Sequence, residues 1–191
     1  MKKVSVIILN WNGEQLLKQF LPSVVKYTPD DIADVVVADN GSTDKSLVLL
    51  KTQFPTVHII ELEKNFGFAD GYNQAIAAVK TPYVVLLNSD VEVTPNWLYP
   101  LVEEVEQHVD VVAVQPKIRS WKEKSSFEYA GACGGYMDRY GYPFCRGRLL
   151  HILETDNGQY DTPTDVLWTS GACMLVRRDV FVKVGGLDAT F

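Results

Sequence analysis

Four polar clusters interrupt the apolar runs of this chain: Asn10 with Asn12, Asp39 with Asn40, Lys64 with Asn65, and Asn88-Ser89-Asp90. Carboxylates and amides are hard oxygen ligands, and Glu92 stands two positions beyond Asp90, where an extended backbone would point both side chains the same way. Such a pair can hold a hard divalent cation. The glycine fingerprints of other phosphate sites are missing: neither GxGxxG after the first strand nor GxxxxGK[ST] occurs. A phosphorylated ligand would therefore need another counter-charge, and a cation at Asp90 would supply one. A lone Asp after a strand is usually a helix cap. Four such clusters ask for more than capping if the fold brings them together.

The elements that would position them alternate. Tyr83 to Leu87 is a continuous apolar run punctuated by Pro82 and by Thr94-Pro95, the pattern of a fully buried strand. Val4–Leu9, Asp34–Ala38, Val57–Leu62 and Val111–Val114 read as further strands. Between them lie helical stripes. The first is Leu16, Leu17, Phe20, Leu21, Val24 and Val25, with Pro22 expected to kink or restart the helix. Ser42 or Thr43 is expected to cap the second, with Leu47, Leu50 and Phe54 inward; the third carries Phe68, Tyr72, Ala75, Ile76 and Val79. Thr94 as cap and Pro95 as first residue start a fourth, with Leu98, Leu101, Val102 and Val105 on one face. This alternation predicts an α/β protein with a mostly parallel central sheet flanked by helices, and such sheets bind ligands at the carboxyl ends of their strands.

From Lys117 to Pro163 the rhythm breaks into aromatics, glycines and charges, read as short strands or hairpins that either line a cleft or pack without a ligand role. Asp165–Arg177 predicts a strand, a glycine turn and another strand, and Asp179–Val184 a short helix closed by Gly185-Gly186. With 47% hydrophobic and 22% charged residues the 191-residue chain fits one ordinary globular domain. Its net charge of −6 argues against a nucleic-acid partner, which would need a cationic face. No apolar run approaches the ~20 residues of a membrane span. Met1-Lys2-Lys3 runs straight into a strand, so a cytoplasmic location is expected. Cys133, Cys145 and Cys173 lack paired metal spacing and are expected to be free buried thiols, and His58, His108 and His151 are scattered.

The segments VSVIILNWNG, VVVADNGSTDKS, NFGFADGYNQAI, YVVLLNSDVEVTPNWL and GACMLVRRDVFVKVGGLDATF, in this order and spacing, resemble the family 2 glycosyltransferases of the GT-A fold, particularly the rhamnosyltransferase-like branch of bacterial cell-surface polysaccharide synthesis. The resemblance covers most of residues 4–115 and 166–191. It implies an inverting transfer of a sugar from a nucleotide-diphosphate donor to a saccharide or lipid-linked acceptor. Asp39 matches the position that contacts the nucleotide base, with Asn10 and Asn12 bordering the pocket. Lys64, Asn65 and Gly67 match the loop beside the nucleotide. Asn88-Ser89-Asp90 matches the metal motif Asp-x-Asp, in which Asp90 ligates Mg2+ or Mn2+ on the donor diphosphate. Asn88 departs from the motif and removes one negative charge.

Displacing a nucleoside diphosphate builds charge on the leaving phosphate, which a cation stabilises, and an inverting transfer also needs a base for the acceptor hydroxyl. The resemblance places that base in a Glu-Asp motif beyond the GGLD segment, which this chain does not contain. The expectation is a single GT-A catalytic domain over residues 1–191, truncated at its C-terminus, with a nucleotide-binding half (4–115) and an incomplete acceptor-side half (116–191). Asp188 is the nearest carboxylate, on the acceptor side, with capping of the next turn as its other role. The chain is expected to bind nucleotide and transfer sugar weakly or not at all, and the full-length protein to associate peripherally with the inner face of the membrane. A non-catalytic nucleotide-sugar binding module and, behind it, a sugar nucleotidyltransferase are the competing readings.

Overall fold

The computed structural model describes residues 2–129 and 132–190. In chain order the elements are β1 (Val4–Asn10), α1 (Glu14–Tyr27), β2 (Ala33–Asp39), α2 (Ser46–Gln53), β3 (His58–Glu61), α3 (Gly67–Ala78), β4 (Tyr83–Leu87), α4 (Tyr99–Gln107), β5 (Ala113–Val114), β6 (Gly135–Met137), β7 (Pro143–Cys145), β8 (Arg148–Leu149), β9 (Ile152–Leu153), β10 (Cys173–Arg177) and α5 (Arg178–Lys183). The main sheet has the order β3-β2-β1-β4-β10-β5, and its first four strands run parallel. β10 is antiparallel to both of its neighbours, so it separates β5 from β4. A smaller antiparallel sheet, β6-β7-β8-β9, stands apart.

The alternation of side chains along each strand builds two cores. Val4, Val6 and Ile8 of β1, with Val85 and Leu87 of β4, face Leu17, Leu21 and Val24 of α1, Leu50 of α2 and Leu101 and Val105 of α4. Ile7, Val84 and Leu86 point the other way, onto Tyr72 and Ile76 of α3 and Phe181 of α5. β4 is buried along its whole length. Each of its aliphatic side chains contributes about 1.5–3 kcal/mol from the apolar area it removes from water.

Several local expectations shift. α1 runs unbroken through Pro22, because that residue lies on the exposed face and the Lys18 carbonyl it leaves unbonded can take water. α4 begins at Tyr99, with Pro100 rather than Pro95 in its first turn; Thr94–Trp97 forms a separate turn in which Asn96 takes a left-handed φ of 61°. In α2 the buried positions are Ser46, Leu49 and Leu50, with Leu47 half-buried. The strand expected at 111–114 shrinks to Ala113–Val114, and residues 165–168 make one bridge, Trp168 to Gly135, instead of a strand. Pairing partners decided both: β5 has only β10 beside it, and β10 has taken the place next to β4.

The irregular stretch is held by its own small core, in which Phe127, Ala132 and Cys133 are buried with Tyr160 against them. Lys117 ties it down, bonding Asp156 at 2.8 Å and Asp161 at 2.5 Å. Among the described residues no helix is long and apolar enough to cross a membrane.

All three cysteines are buried free thiols. Burial pushes the Cys173 thiol up to about 12 and Cys133 to about 11, so neither ionises near neutrality. The native protein is expected to resist iodoacetamide at these two positions at about pH 8, and the urea-unfolded chain to react within the same time, read by mass spectrometry. Because the folded-state values are raised, these thiols also make stability fall as pH climbs from 9.0 towards 12.

Candidate functional site

The carboxyl ends of β1, β2 and β4 lie side by side, in register Asn10 to Asp39 and Ile8 to Leu87. Three of the expected clusters therefore meet at one rim, and the loop after β3 joins them. Asn10 and Asp39 are both almost fully buried. The Asn10 amide donates to Asp39 Oδ1 at 2.9 Å and to Ser42 Oγ at 3.1 Å, while the Ser42 amide donates to Asp39 Oδ2 at 2.9 Å. Asn12, in a left-handed turn, donates its backbone N–H to Ser42 Oγ and accepts the Thr43 and Asp44 amides on Oδ1 at 2.7 and 3.2 Å. The turn after β1 and the turn after β2 are thus one hydrogen-bonded unit.

Capping follows from this unit and differs from the sequence expectation. Ser42 and Thr43 are spent on Asn10 and Asn12, and Asp44 instead accepts the Ser46 amide of α2 at 2.9 Å and the Glu14 amide of α1 at 3.0 Å. Burial pushes the Asp44 carboxyl up, but the bonds from Ser46 and Glu14 outweigh it and hold the group below the usual carboxylate range. One carboxylate serves the N-termini of two helices.

Asn40 ties in the loop after β3. Its side-chain amide donates to Asn65 Oδ1 and to the Gly67 carbonyl, both at 3.0 Å, and its Oδ1 accepts the Phe66 amide at 3.0 Å. Asn65 Oδ1 also takes the Gly67 amide at 2.8 Å. Gly41, at φ 71°, lies so close to this loop that a Cβ would sit 2.7 Å from the Lys64 backbone. Lys64 itself is exposed, its ammonium 5.2 Å from the Phe66 ring centre.

Beside this scaffold, at the end of β4, opens a cleft of about 300 Å³ lined by Leu9, Trp11, Leu16, Phe68, Tyr72, Asn88, Ser89 and Asp90. Asp90 is exposed there and is the only carboxylate in that lining. The fully buried Tyr72 donates its hydroxyl to the Leu87 carbonyl at 3.0 Å, and burial pushes its ionisation far up, with the Asp90 charge adding to the effect. The loop after β4 is anchored where the backbone N–H of Asn88 donates to the Ala172 carbonyl at 2.9 Å. A depression of similar size at Lys3, Ile32 and Glu106 lies at the opposite, amino ends of the strands, away from these groups.

Glu92 does not join Asp90. The backbone turns after Asn88, where the Val91 amide bonds the Asn88 carbonyl, so the two-residue parity of a strand is lost. Glu92 instead accepts Lys124 Nζ at 2.8 Å and Trp121 Nε1 at 3.3 Å, and Lys124 lowers its ionisation. Among the described residues no three His, Cys, Asp or Glu side chains converge. Asp188 also lies outside the cleft lining. Its Oδ1 accepts both the amide and the hydroxyl of Thr190, at 2.9 and 2.7 Å, which lowers its ionisation and matches its turn-capping role.

The apolar rim escaped the sequence reading. Trp11 and Phe68 are 58% and 51% exposed, although Phe68 stood in the inward stripe of α3. It occupies the first turn of that helix, with Tyr72 beneath it at 4.9 Å in an edge-on contact and Gly171 alongside. Its position next to a glycine helix start was the available signal. Ala substitution at Gly41 and Gly67 separates close approach from backbone conformation alone: Gly67 has φ 76° but open space around it. In urea denaturation Gly67→Ala is expected to cost about 1–2 kcal/mol, and Gly41→Ala at least about 1 kcal/mol more.

A family model described as glycosyl transferase family 2 matches residues 5–185. The O-antigen biosynthesis protein RfbC of Myxococcus xanthus is 28% identical over 192 aligned residues, spanning 99% of this chain and 15% of that protein. An N-acetylglucosaminyl-diphospho-decaprenol L-rhamnosyltransferase of Mycobacterium tuberculosis is 25% identical over 200, spanning 97% of this chain and 65% of that protein. The chain therefore covers less than two thirds of the length of either relative. Among solved structures, the mannosyltransferase PcManGT of Pyrobaculum calidifontis, in complex with GDP-Man and Mn2+, superposes with a TM-score of 0.68 at 17% identity, over 98% of this chain and 48% of that one. GalNAc-T7 with UDP, GalNAc and Mn2+ gives 0.71 at 19%, over 99% and 38%. These likenesses speak for the fold, the family match for descent: the chain has the GT-A fold and belongs to glycosyl transferase family 2.

Proposed function

We propose that this chain forms the donor-binding part of an inverting glycosyltransferase. It would move a sugar from a nucleoside diphosphate to a saccharide or lipid-linked acceptor in bacterial cell-surface polysaccharide synthesis, at the cytoplasmic face of the membrane. The observation that carries this reading is the cleft at the end of β4, where the exposed Asp90 faces the open apolar faces of Trp11 and Phe68 in a family 2 chain. Residues 4–115 would be the nucleotide-binding half and residues 116–191 the acceptor-side half.

Each group has a physical task in this reading. Trp11 offers a flat face for a nucleobase at the level of Asn10, Asn12 and Asp39. Asp39 has each carboxylate oxygen committed to one bond, which leaves lone pairs for a base N–H. Lys64, Asn65 and Gly67 would border the nucleotide from the far side. Asp90, with the Asn88 amide oxygen beside it, forms a hard-oxygen set that suits Mg2+ or Mn2+ shared with the donor's phosphates, since such ions commonly take one or two carboxylates and complete their shell from substrate. The bound cation would neutralise charge developing on the leaving diphosphate. Asn88 lowers the negative charge of the cleft and so eases the approach of that diphosphate.

A second reading, a nucleotide-sugar binding module without transfer, draws on the commitment of Asp188 to Thr190 and on the single carboxylate in the cleft. Calorimetry with UDP, GDP and dTDP, with and without Mn2+, tests the donor site. Binding of one nucleotide is expected to depend on Mn2+ and to weaken about 10- to 100-fold in Asp90→Ala. Glu92→Gln should stay within about twofold, because that carboxylate faces Lys124 rather than the cleft. No nucleotide binding under any of these conditions would overturn both readings, and sugar transfer by the chain would overturn the second.

A further inference from the structure

Seven of the nineteen large apolar side chains that are exposed among the described residues fall between Met137 and Leu153. This is the small sheet β6–β9, and its two tips are built in an unusual way. At one, Asp138 Oδ1 accepts the amides of both Tyr140 and Tyr142, at 2.8 and 2.9 Å, so a tight turn throws both phenols into solvent. At the other, between β8 and β9, Leu150 takes a left-handed φ of 55° and is 79% exposed. A branched aliphatic residue is costly in that conformation, which glycine or asparagine adopts freely, and hydration of its side chain adds a second cost. Folding alone gives no reason for a leucine there.

The charge of the patch is reversed relative to the chain. Residues 135–153 hold three arginines and one aspartate, a net of +2 with His151 neutral, against −6 for the whole chain. Asp138 is internally bonded. Arg139 lies over the Tyr140 ring at 4.7 Å and donates Nη2 to its hydroxyl at 2.5 Å, which leaves the remaining N–H groups of the guanidinium for phosphate. Exposed tyrosines and aliphatic residues interleaved with arginine, on an otherwise acidic molecule, suit the headgroup layer of an anionic bilayer. We infer that the β6–β9 sheet docks on an anionic phospholipid surface through its Tyr140–Tyr142 and Leu150 tips.

Such docking would orient the cleft. Gly135 of β6 pairs with Trp168, and the segment after Trp168 reaches the cleft at Gly171 and Ala172, against Phe68 and Asn88. The acceptor side would then face the membrane; only this consequence, and not the docking, rests on the sugar-transfer reading.

Vesicle co-sedimentation tests the surface directly. The protein is expected to bind vesicles of mixed phosphatidylglycerol and phosphatidylcholine, to ignore phosphatidylcholine alone, and to be released as salt rises from about 0.05 to 0.5 M. Arg139→Ser should weaken binding roughly fivefold. Leu150→Asn should weaken it several-fold while leaving or raising the melting temperature, since asparagine accepts the turn. No binding to the mixed vesicles, equal binding to both vesicle types, or native binding by both variants would each overturn the inference. So would conversion of a dimer to a monomer by Leu150→Asn with vesicle binding unchanged.

Discussion

The Asp39 carboxylate, buried at the end of β2 and bonded to the Asn10 amide and the Ser42 N–H, is the interaction on which the rim depends. A carboxylate taken out of water is costly unless its lone pairs are met by donors, so Asp39 constrains whatever surrounds it. Asn10 must end β1 at that level, and Ser42 must turn back towards it. Gly13 must lack a side chain, since a Cβ there would stand 2.4 Å from Asn10 Oδ1. Once the two turns are locked, Asp44 lies where both helix starts need an acceptor. The scaffold spends most of its polar groups on itself, and the remaining lone pairs of Asp39, with the exposed Asp90 and Trp11, are left for a ligand.

The same economy shapes the charge of the cleft. With Asn88 neutral and Glu92 drawn off by Lys124, Asp90 alone carries negative charge there. One carboxylate is a weak site for a hard cation by itself, whereas a diphosphate arriving with the cation supplies the remaining oxygens and part of the charge. In the proposed reading, metal and nucleotide would then bind as a unit, each raising the other's apparent affinity.

The first half of the fold is legible because its signals are local. Buried strands such as Tyr83–Leu87 carry a continuous apolar run, and each ends in polar residues that only a shared rim explains. What stayed hidden depended on partners distant in sequence. The insertion of β10 between β4 and β5 is a pairing choice that no local period encodes. The two-residue spacing of Glu92 from Asp90 points both the same way only on a strand, but the chain turns after Asn88, and Lys124, which claims Glu92, lies 32 residues on. Phe68 follows the helical period of a core position and is nonetheless exposed in the first turn of α3, where it covers Tyr72 at the cleft. Ser42 and Thr43 fit the capping rule, but Asn10 and Asn12 compete for them and leave capping to Asp44.

The second half of the chain, irregular as it is, reaches the Asp90 loop from two directions. Lys124 and Trp121 hold Glu92 on one side, with Trp121 packed edge-on against Phe20 of α1 at 5.6 Å. On the other side the Ala172 carbonyl holds the backbone N–H of Asn88, and Gly171 leaves room for the Phe68 ring. Asp90 therefore sits on a short loop whose two ends are fastened to segments 119–127 and 169–172. Between those segments lies the aromatic, arginine-bearing sheet. A movement of that sheet would be felt at both fastenings, whereas the Asn10–Asp39 scaffold, bonded only within the first half, would stay in place. The loop that presents Asp90 is thus the element through which an event at the small sheet can reach the cleft.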